Sequence, residues 1–209
     1  MSLTISASGS QQSIALQFVG LGAALPASTS AGVPAVAQTN WQPLTGSSFN
    51  GITLTNNSGA ATTASITGGA DGDYFCGSSF TDTGNEDLCS GELFDGSITS
   101  ETHSVTISSV PYTKYDVYIY GECDAGGRNA TFTVTPVGGT ASSKSFQTES
   151  NGSTWTEGTS TWNGSGTAPT LSPGNYVHFS GITTNTFTIQ FGGAGNVSMN
   201  GIQIVNTGP

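Results

Sequence analysis

Residues 130–134 read Ala-Thr-Phe-Thr-Val, with Ala130, Phe132 and Val134 on one parity and Thr131 and Thr133 on the other. Alternate side chains of a strand point to opposite faces, so this two-residue period marks a strand with one buried face. The pattern recurs. Val105 and Ile107 alternate with Ser104, Thr106 and Ser108, and Phe187, Ile189 and Phe191 alternate with Thr186, Thr188 and Gln190. In residues 115–120, Val117 and Ile119 share one face while Asp116, Tyr118 and Tyr120 share the other. Further strands are expected at 13–18, 51–55, 61–67, 142–146, 176–180 and 201–205. Helical periodicity is nearly absent, because Gly or Pro interrupts every apolar window of a dozen residues. Residues 20–34 read as a loop with room for one helical turn.

About ten short strands separated by Gly- and Pro-rich turns predict an all-β chain, folded as a single antiparallel β-sandwich of jelly-roll type. Strand text at both ends, 13–18 and 201–205, predicts that the termini pair or lie close, which favours one domain over residues 1–209. Two stretches lack strand periodicity, 68–96 and 148–171, and read as long loops. Loops of that length are usually functional or disordered, so they are where function is sought.

The surface is unusual in chemistry. The chain of 209 residues has 30 Gly, only 3 Lys+Arg and 8% charged residues, against about 25% in ordinary globular domains. Ser, Thr, Asn and Gly must provide its solubility, as suits a secreted or cell-surface β-protein. The formal charge of −10 excludes nucleic acid, whose binding rests on Lys and Arg displacing phosphate counterions. Lys114, Arg128 and Lys144 are equally too few for an anionic membrane. No apolar run reaches the ~20 residues that span a bilayer. No leader is visible at Met1, which fits a chain that starts after a removed leader or inside a longer protein.

Most of the carboxylates fall between Asp71 and Asp124. Asp71, Asp73, Asp82, Glu86 and Asp87 lie in Gly-rich text, where carboxylates can converge on a hard cation such as Ca2+, although no EF-hand spacing is present. The other reading is a solvated acidic loop. A disulfide between Cys76 and Cys89 would close that loop and stabilise it by about 3 kcal/mol, with reduced thiols or a Cys123 pairing as alternatives. No CxxC spacing suggests zinc. Glu92 with Asp95, or Glu122 with Asp124, could serve as the paired carboxylates of a glycoside hydrolase. Each is equally readable as a solvated surface carboxylate.

Trp155 and Trp162 stand in a run of Gly, Ser, Thr and Asn, outside any apolar period. An indole so placed offers a flat platform to the apolar face of a sugar, or else pins its own loop to the sheet. Arg128 follows Asp124 at a hairpin tip, where the guanidinium fork and carboxylate can bind sugar hydroxyls or simply pair with each other. Tyr118 and Tyr120, on the polar face of their strand, complete the candidate ligand-binding set. Trp41 reads as a core residue, and His103 and His178 are isolated, the latter facing outward between Val177 and Phe179. No Gly-x-Ser-x-Gly or phosphate loop is present.

The text Val110-Pro111-Tyr112-Thr113-Lys114-Tyr115-Asp116-Val117-Tyr118-Ile119-Tyr120-Gly121, then Gly126-Gly127-Arg128-Asn129-Ala130-Thr131-Phe132, resembles a segment of secreted bacterial β-sandwich modules. So does Gly174-Asn175-Tyr176-Val177-His178-Phe179 with the closing Asn200-Gly201-Ile202-Gln203-Ile204-Val205. These are similar to galactose-binding-like and carbohydrate-binding modules, over roughly the C-terminal half. The resemblance implies a jelly roll, a glycan ligand and often a structural calcium. The expectation is therefore a non-catalytic module for a neutral polysaccharide, within a larger secreted protein. A glycoside hydrolase and a structural or adhesin domain are the alternatives.

Overall fold

The computed structural model describes residues 11–76, 84–96, 103–122, 126–149, 154–162, 169–194 and 197–209. The described strands, in chain order, begin with β1 (Ser13–Phe18), β2 (Gln42–Leu44), β3 (Ser48–Thr55), β4 (Ala61–Gly69) and β5 (Gly72–Phe75). A short helix, α1 (Gly84–Leu88), precedes β6 (Gly91–Asp95), β7 (His103–Ser108), β8 (Tyr115–Tyr120) and β9 (Asn129–Pro136). There follow β10 (Ser142–Thr148), β11 (Pro173–Gly174), β12 (Tyr176–Ile182), β13 (Phe187–Ala194), β14 (Val197–Met199) and β15 (Gly201–Asn206).

Every strand expected from alternation is present, because each pairs its apolar parity against the same core. A five-stranded sheet, in the order β12-β8-β15-β1-β2, faces a seven-stranded sheet in the order β11-β10-β9-β13-β7-β4-β3. From β7 onward the chain crosses repeatedly between them, as the expected jelly roll requires. Ile14, Leu16, Val117, Ile119, Ile202 and Ile204 from the first sheet meet Ile66, Val105, Ile107, Phe132, Phe187 and Ile189 from the second, all fully buried or nearly so. The ends do meet: β1 pairs antiparallel with β15, Ser13 opposite Val205.

Two features go beyond the alternating pattern. Residues 68–96, expected as a loop, carry β5, α1 and β6, and β14-β6-β5 form a third, three-stranded sheet. The second feature is that all six residues of β1 are buried. Its inner parity faces the core, and its outer parity lies under residues 19–41. The side chain of Gln17 fixes this cover, accepting from the Leu25 N–H at 2.8 Å and donating to the Asp87 carbonyl at 2.9 Å. Leu25, Ala31, Trp41, Leu88 and Tyr120 form a second, smaller core beneath it. The cover fits so closely that a Cβ on Gly201 would stand 2.7 Å from the Leu16 carbonyl oxygen and 3.1 Å from the Trp41 ring. Residues 20–34 contain turns and no helix. Among the described residues, no helix is long and apolar enough to cross a membrane.

Candidate functional site

The cover on the five-stranded sheet stops short of its β8–β12 edge, and aromatic rings occupy the margin. β8 and β12 run antiparallel with Tyr120 opposite Tyr176 and Tyr118 opposite His178. The period of two therefore puts Asp116, Tyr118, Tyr120, Tyr176 and His178 on one outer face. Cross-strand neighbours on one face lie close enough for rings to stack. Tyr118 and His178 do so, with centroids 4.3 Å apart and planes 6° from parallel. Tyr118 also stacks on Tyr176 at 6.3 Å and 29°.

Trp155 adds a fourth ring from outside the sheet. It meets Tyr120 edge-on at 4.7 Å and Tyr176 at 6.4 Å and 90°. Backbone bonds hold it there: the Thr156 N–H donates to Asn175 Oδ1 at 2.8 Å, and Asn175 Nδ2 donates to the Thr154 carbonyl at 2.7 Å. Trp155, Tyr118, Tyr176 and His178 are half-buried, whereas Tyr120 and Trp41 are buried beneath them. Trp155 Nε1 is buried and makes no hydrogen bond.

Polar groups fix the row at both ends. Asp116 Oδ2 lies 2.9 Å from His178 Nε2, and Asp116 Oδ1 accepts from the Gly181 N–H at 2.8 Å. Glu157 pairs with Lys144 at 2.7 Å. Desolvation first, then Asp116, Tyr176 and Glu157, push the Tyr118 hydroxyl above its ordinary pKa, and desolvation then Glu157 do so for Tyr176. Both phenols are neutral hydrogen-bonding groups at neutral pH. Beside the row, a cleft of about 410 Å³ opens between β9, β10 and β12. His178, Lys144, Phe179 and the hydroxyl-bearing Thr140, Ser142 and Ser180 are among its lining. Pockets of about this volume accommodate small organic ligands.

The sequence-nominated residues divide around this face. Tyr118 and Trp155 are on it. Tyr120 is fully buried and serves as support, its Oη donating to Gln203 Oε1 at 2.8 Å and accepting from the Val33 N–H at 3.2 Å. Trp162 is also buried and presents no open ring face, because its segment docks on β10: its N–H donates to Ser145 Oγ at 3.2 Å and its carbonyl accepts from the same hydroxyl at 3.0 Å. Arg128 stands just before β9 of the other sheet, where its N–H donates to Thr148 Oγ1 at 3.1 Å. Asp124, Asp82 and Cys123 lie outside the described residues. Tyr176 and His178 were not nominated. Their signal was present, since the alternation of 176–180 mirrors that of 115–120 and the two strands needed only to be paired.

The expected Cys76–Cys89 disulfide is absent, and both residues are buried thiols. Each thiol has a carboxylate for a neighbour instead. Cys76 Sγ donates to Glu92 Oε2 at 2.7 Å, and Glu122 is the carboxylate whose charge acts most on the Cys89 thiol. Burial first and Glu122 second push the Cys89 thiol well above its ordinary pKa. Asn200 holds this corner together. It accepts from the Glu122 N–H through Oδ1 at 2.6 Å, and its Nδ2 donates to the carbonyls of Gly91 at 2.8 Å and Cys89 at 3.3 Å. Glu92, Asp95 and Glu122, candidates for hydrolysis, are each 1% exposed or less. They stand in the interior rather than across an open cleft.

Among the described residues, those nominated for calcium do not form one group. Glu86 and Asp87 lie on α1, and Asp73 on β5. Asp71 comes instead to Asp95 and His103, whose donor atoms with its own all lie within 4.8 Å, and no other such group of three occurs among the described residues. His103 reads as isolated in the sequence because its partners lie 8 and 32 positions away.

No family model matches the chain, and neither does any curated protein. Among solved structures, a similar one is TmCBM61 in complex with beta-1,4-galactotriose, 12% identical, covering 69% of this chain and 84% of that one at a TM-score of 0.29. That likeness is too slight to bear on fold or ligand.

Proposed function

We propose that this chain is a non-catalytic carbohydrate-binding module for a neutral polysaccharide, and that the outer face of β8 and β12 with Trp155 is its site. The observation that carries this reading is the row of half-exposed, near-parallel rings formed by His178, Tyr118 and Tyr176. Aromatic faces bind the C–H-rich faces of sugar rings through dispersion and apolar burial, while phenol, imidazole and carboxylate groups at the margin bond the hydroxyls. Asp116, Glu157 and Lys144 supply such groups here. The adjoining cleft, which shares His178, would take further residues of a polymer. A net charge of −10 disfavours acidic polysaccharides as strongly as it does nucleic acid.

The test is affinity electrophoresis and calorimetry on a panel of neutral polysaccharides, with Trp155→Ala and Tyr118→Ala beside the parent. We expect retention on at least one polymer without turnover. Each substitution should weaken it at least tenfold, about 1.4 kcal/mol. Silence across the panel would leave the structural or adhesin reading. Release of reducing sugar would restore the hydrolytic one.

A further inference from the structure

We propose that Asp71, Asp95 and His103 bind a divalent transition-metal ion of the zinc type, at a site separate from the aromatic face. The three residues come from the ends of different elements: Asp71 just before β5, Asp95 closing β6 and His103 opening β7. His103 Nε2 lies 3.3 Å from Asp71 Oδ2 and 3.5 Å from Asp95 Oδ1. For ligand atoms about 2.0–2.2 Å from a tetrahedral ion, the edge between two ligands is about 3.4 Å. Both separations fit that edge.

Hydrogen bonding among the described residues does not account for where His103 Nε2 sits. His103 Nε2 is buried, yet it forms no hydrogen bond to either carboxylate or to any other group described. Its ring is seated against Phe191, with centroids 6.0 Å apart, so the nitrogen is held between the two carboxylates. The Asp95 side chain is 1% exposed and that of Asp71 41%. One flank is therefore closed and the other open, which leaves a position for water or an outside ligand, as in three-ligand zinc sites. Two carboxylates and a neutral imidazole carry two negative charges, which a divalent ion neutralises.

The donor set also selects the ion. Imidazole nitrogen favours zinc and its neighbours, whereas calcium takes 6–8 oxygens and gains little from a nitrogen. This is a different ion from the calcium expected of the acidic stretch, and of the residues expected for calcium it uses Asp71 alone. The bound ion would join β6 of the three-stranded sheet to β7 of the seven-stranded sheet, so it should stabilise the fold by mass action.

The experiment uses the metal-stripped, tag-free full chain, titrated calorimetrically with Zn2+ and separately with Ca2+, and with Co2+ followed by visible absorption. We expect one Zn2+ per chain, visible Co2+ bands, no Ca2+ binding at the same concentrations, and a higher melting midpoint with Zn2+. Asp71→Asn and His103→Gln should each weaken Zn2+ at least tenfold and abolish the shift in midpoint. Asp71 is exposed, so its variant keeps the fold, as circular dichroism would verify. Absence of Zn2+ binding, Zn2+ binding unchanged in both variants, or a preference for Ca2+ would overturn the assignment. Glycan binding does not enter any of these readouts.

Discussion

Tyr120 and Glu122 are two residues apart, yet the regions they anchor bury their polar groups in opposite ways. Around Tyr120, rings grade outward from buried Trp41 to half-exposed Trp155, Tyr118, Tyr176 and His178, and the polar tips are paired below or turned to solvent above. Around Glu122, carboxylates and thiols are enclosed together, and one amide, that of Asn200, links three chain segments. The first arrangement leaves half-exposed aromatic rings beside hydrogen-bonding groups, which is what a ligand can use. The second encloses its polar side chains among the described residues, and its hydrogen bonds hold the third sheet to the sandwich. Charge density alone points to the second region rather than the first.

The sharpest way to break this distinction is Asn200→Ala. The substitution leaves the Glu122 N–H and the Gly91 and Cys89 carbonyls without their partner, and each unsatisfied buried group costs roughly 1–3 kcal/mol. We expect a loss of more than about 3 kcal/mol in urea unfolding. Glycan binding per folded molecule should be unchanged. A loss of affinity in the folded fraction would mean that the two regions act as one.

Alkaline unfolding separates the regions by pH. Burial pushes the hydroxyls of Tyr115 and Tyr120 well above the ordinary 10.0, that of Tyr112 to about 12, and the Cys89 thiol above 9.0. A group whose folded pKa is raised contributes stability that is fully present below its unfolded pKa and lost as pH rises beyond it. Stability should therefore be level below pH 9 and decline above it, first through Cys89 and then, from pH 10, through the tyrosines. The slope is up to about 1.4 kcal/mol per pH unit for each group. In Cys89→Ala the decline should begin near pH 10 instead, as read from urea midpoints across pH 8–11. An onset that does not move would show that Cys89 is not the first group to titrate.

How far the sequence could take the reader follows from the same contrast. Alternation identifies β8 and β12 because each has one apolar parity, and pairing them in register yields the Tyr118–His178 stack. Alternation fails at Cys76 and Cys89, where spacing permitted a bridge but could not reveal that Glu92 and Glu122 meet the thiols. At Trp162 it leaves two readings open, a sugar platform or a pin for its own loop, and the docking of its backbone on Ser145 of β10 decides for the pin. Contacts between residues close in sequence or alternating along a strand can be read from the chain. Contacts made by tertiary docking of irregular segments cannot.

The smallest expected effect on stability is also the most informative about the aromatic row. Asp116 does two things with one carboxylate: it bonds His178 Nε2, and it accepts from Gly181 N–H in the bulge between Phe179 and Ile182. Gly181 has φ of 73°, a conformation that favours glycine, so the bulge needs a fixed partner more than an ordinary strand residue does. Asp116→Asn keeps an oxygen for Gly181 and removes the charge that faces His178. Partly exposed ion pairs contribute about 0–1 kcal/mol, so the melting midpoint should barely move. The imidazole, no longer held by a carboxylate, should leave its stack on Tyr118 for part of the time. Affinity for the polysaccharide should then fall several-fold while stability stays put. Equal affinity in Asp116→Asn and the parent would mean that His178 does not belong to the binding face, and the row would shrink to Tyr118, Tyr176 and Trp155.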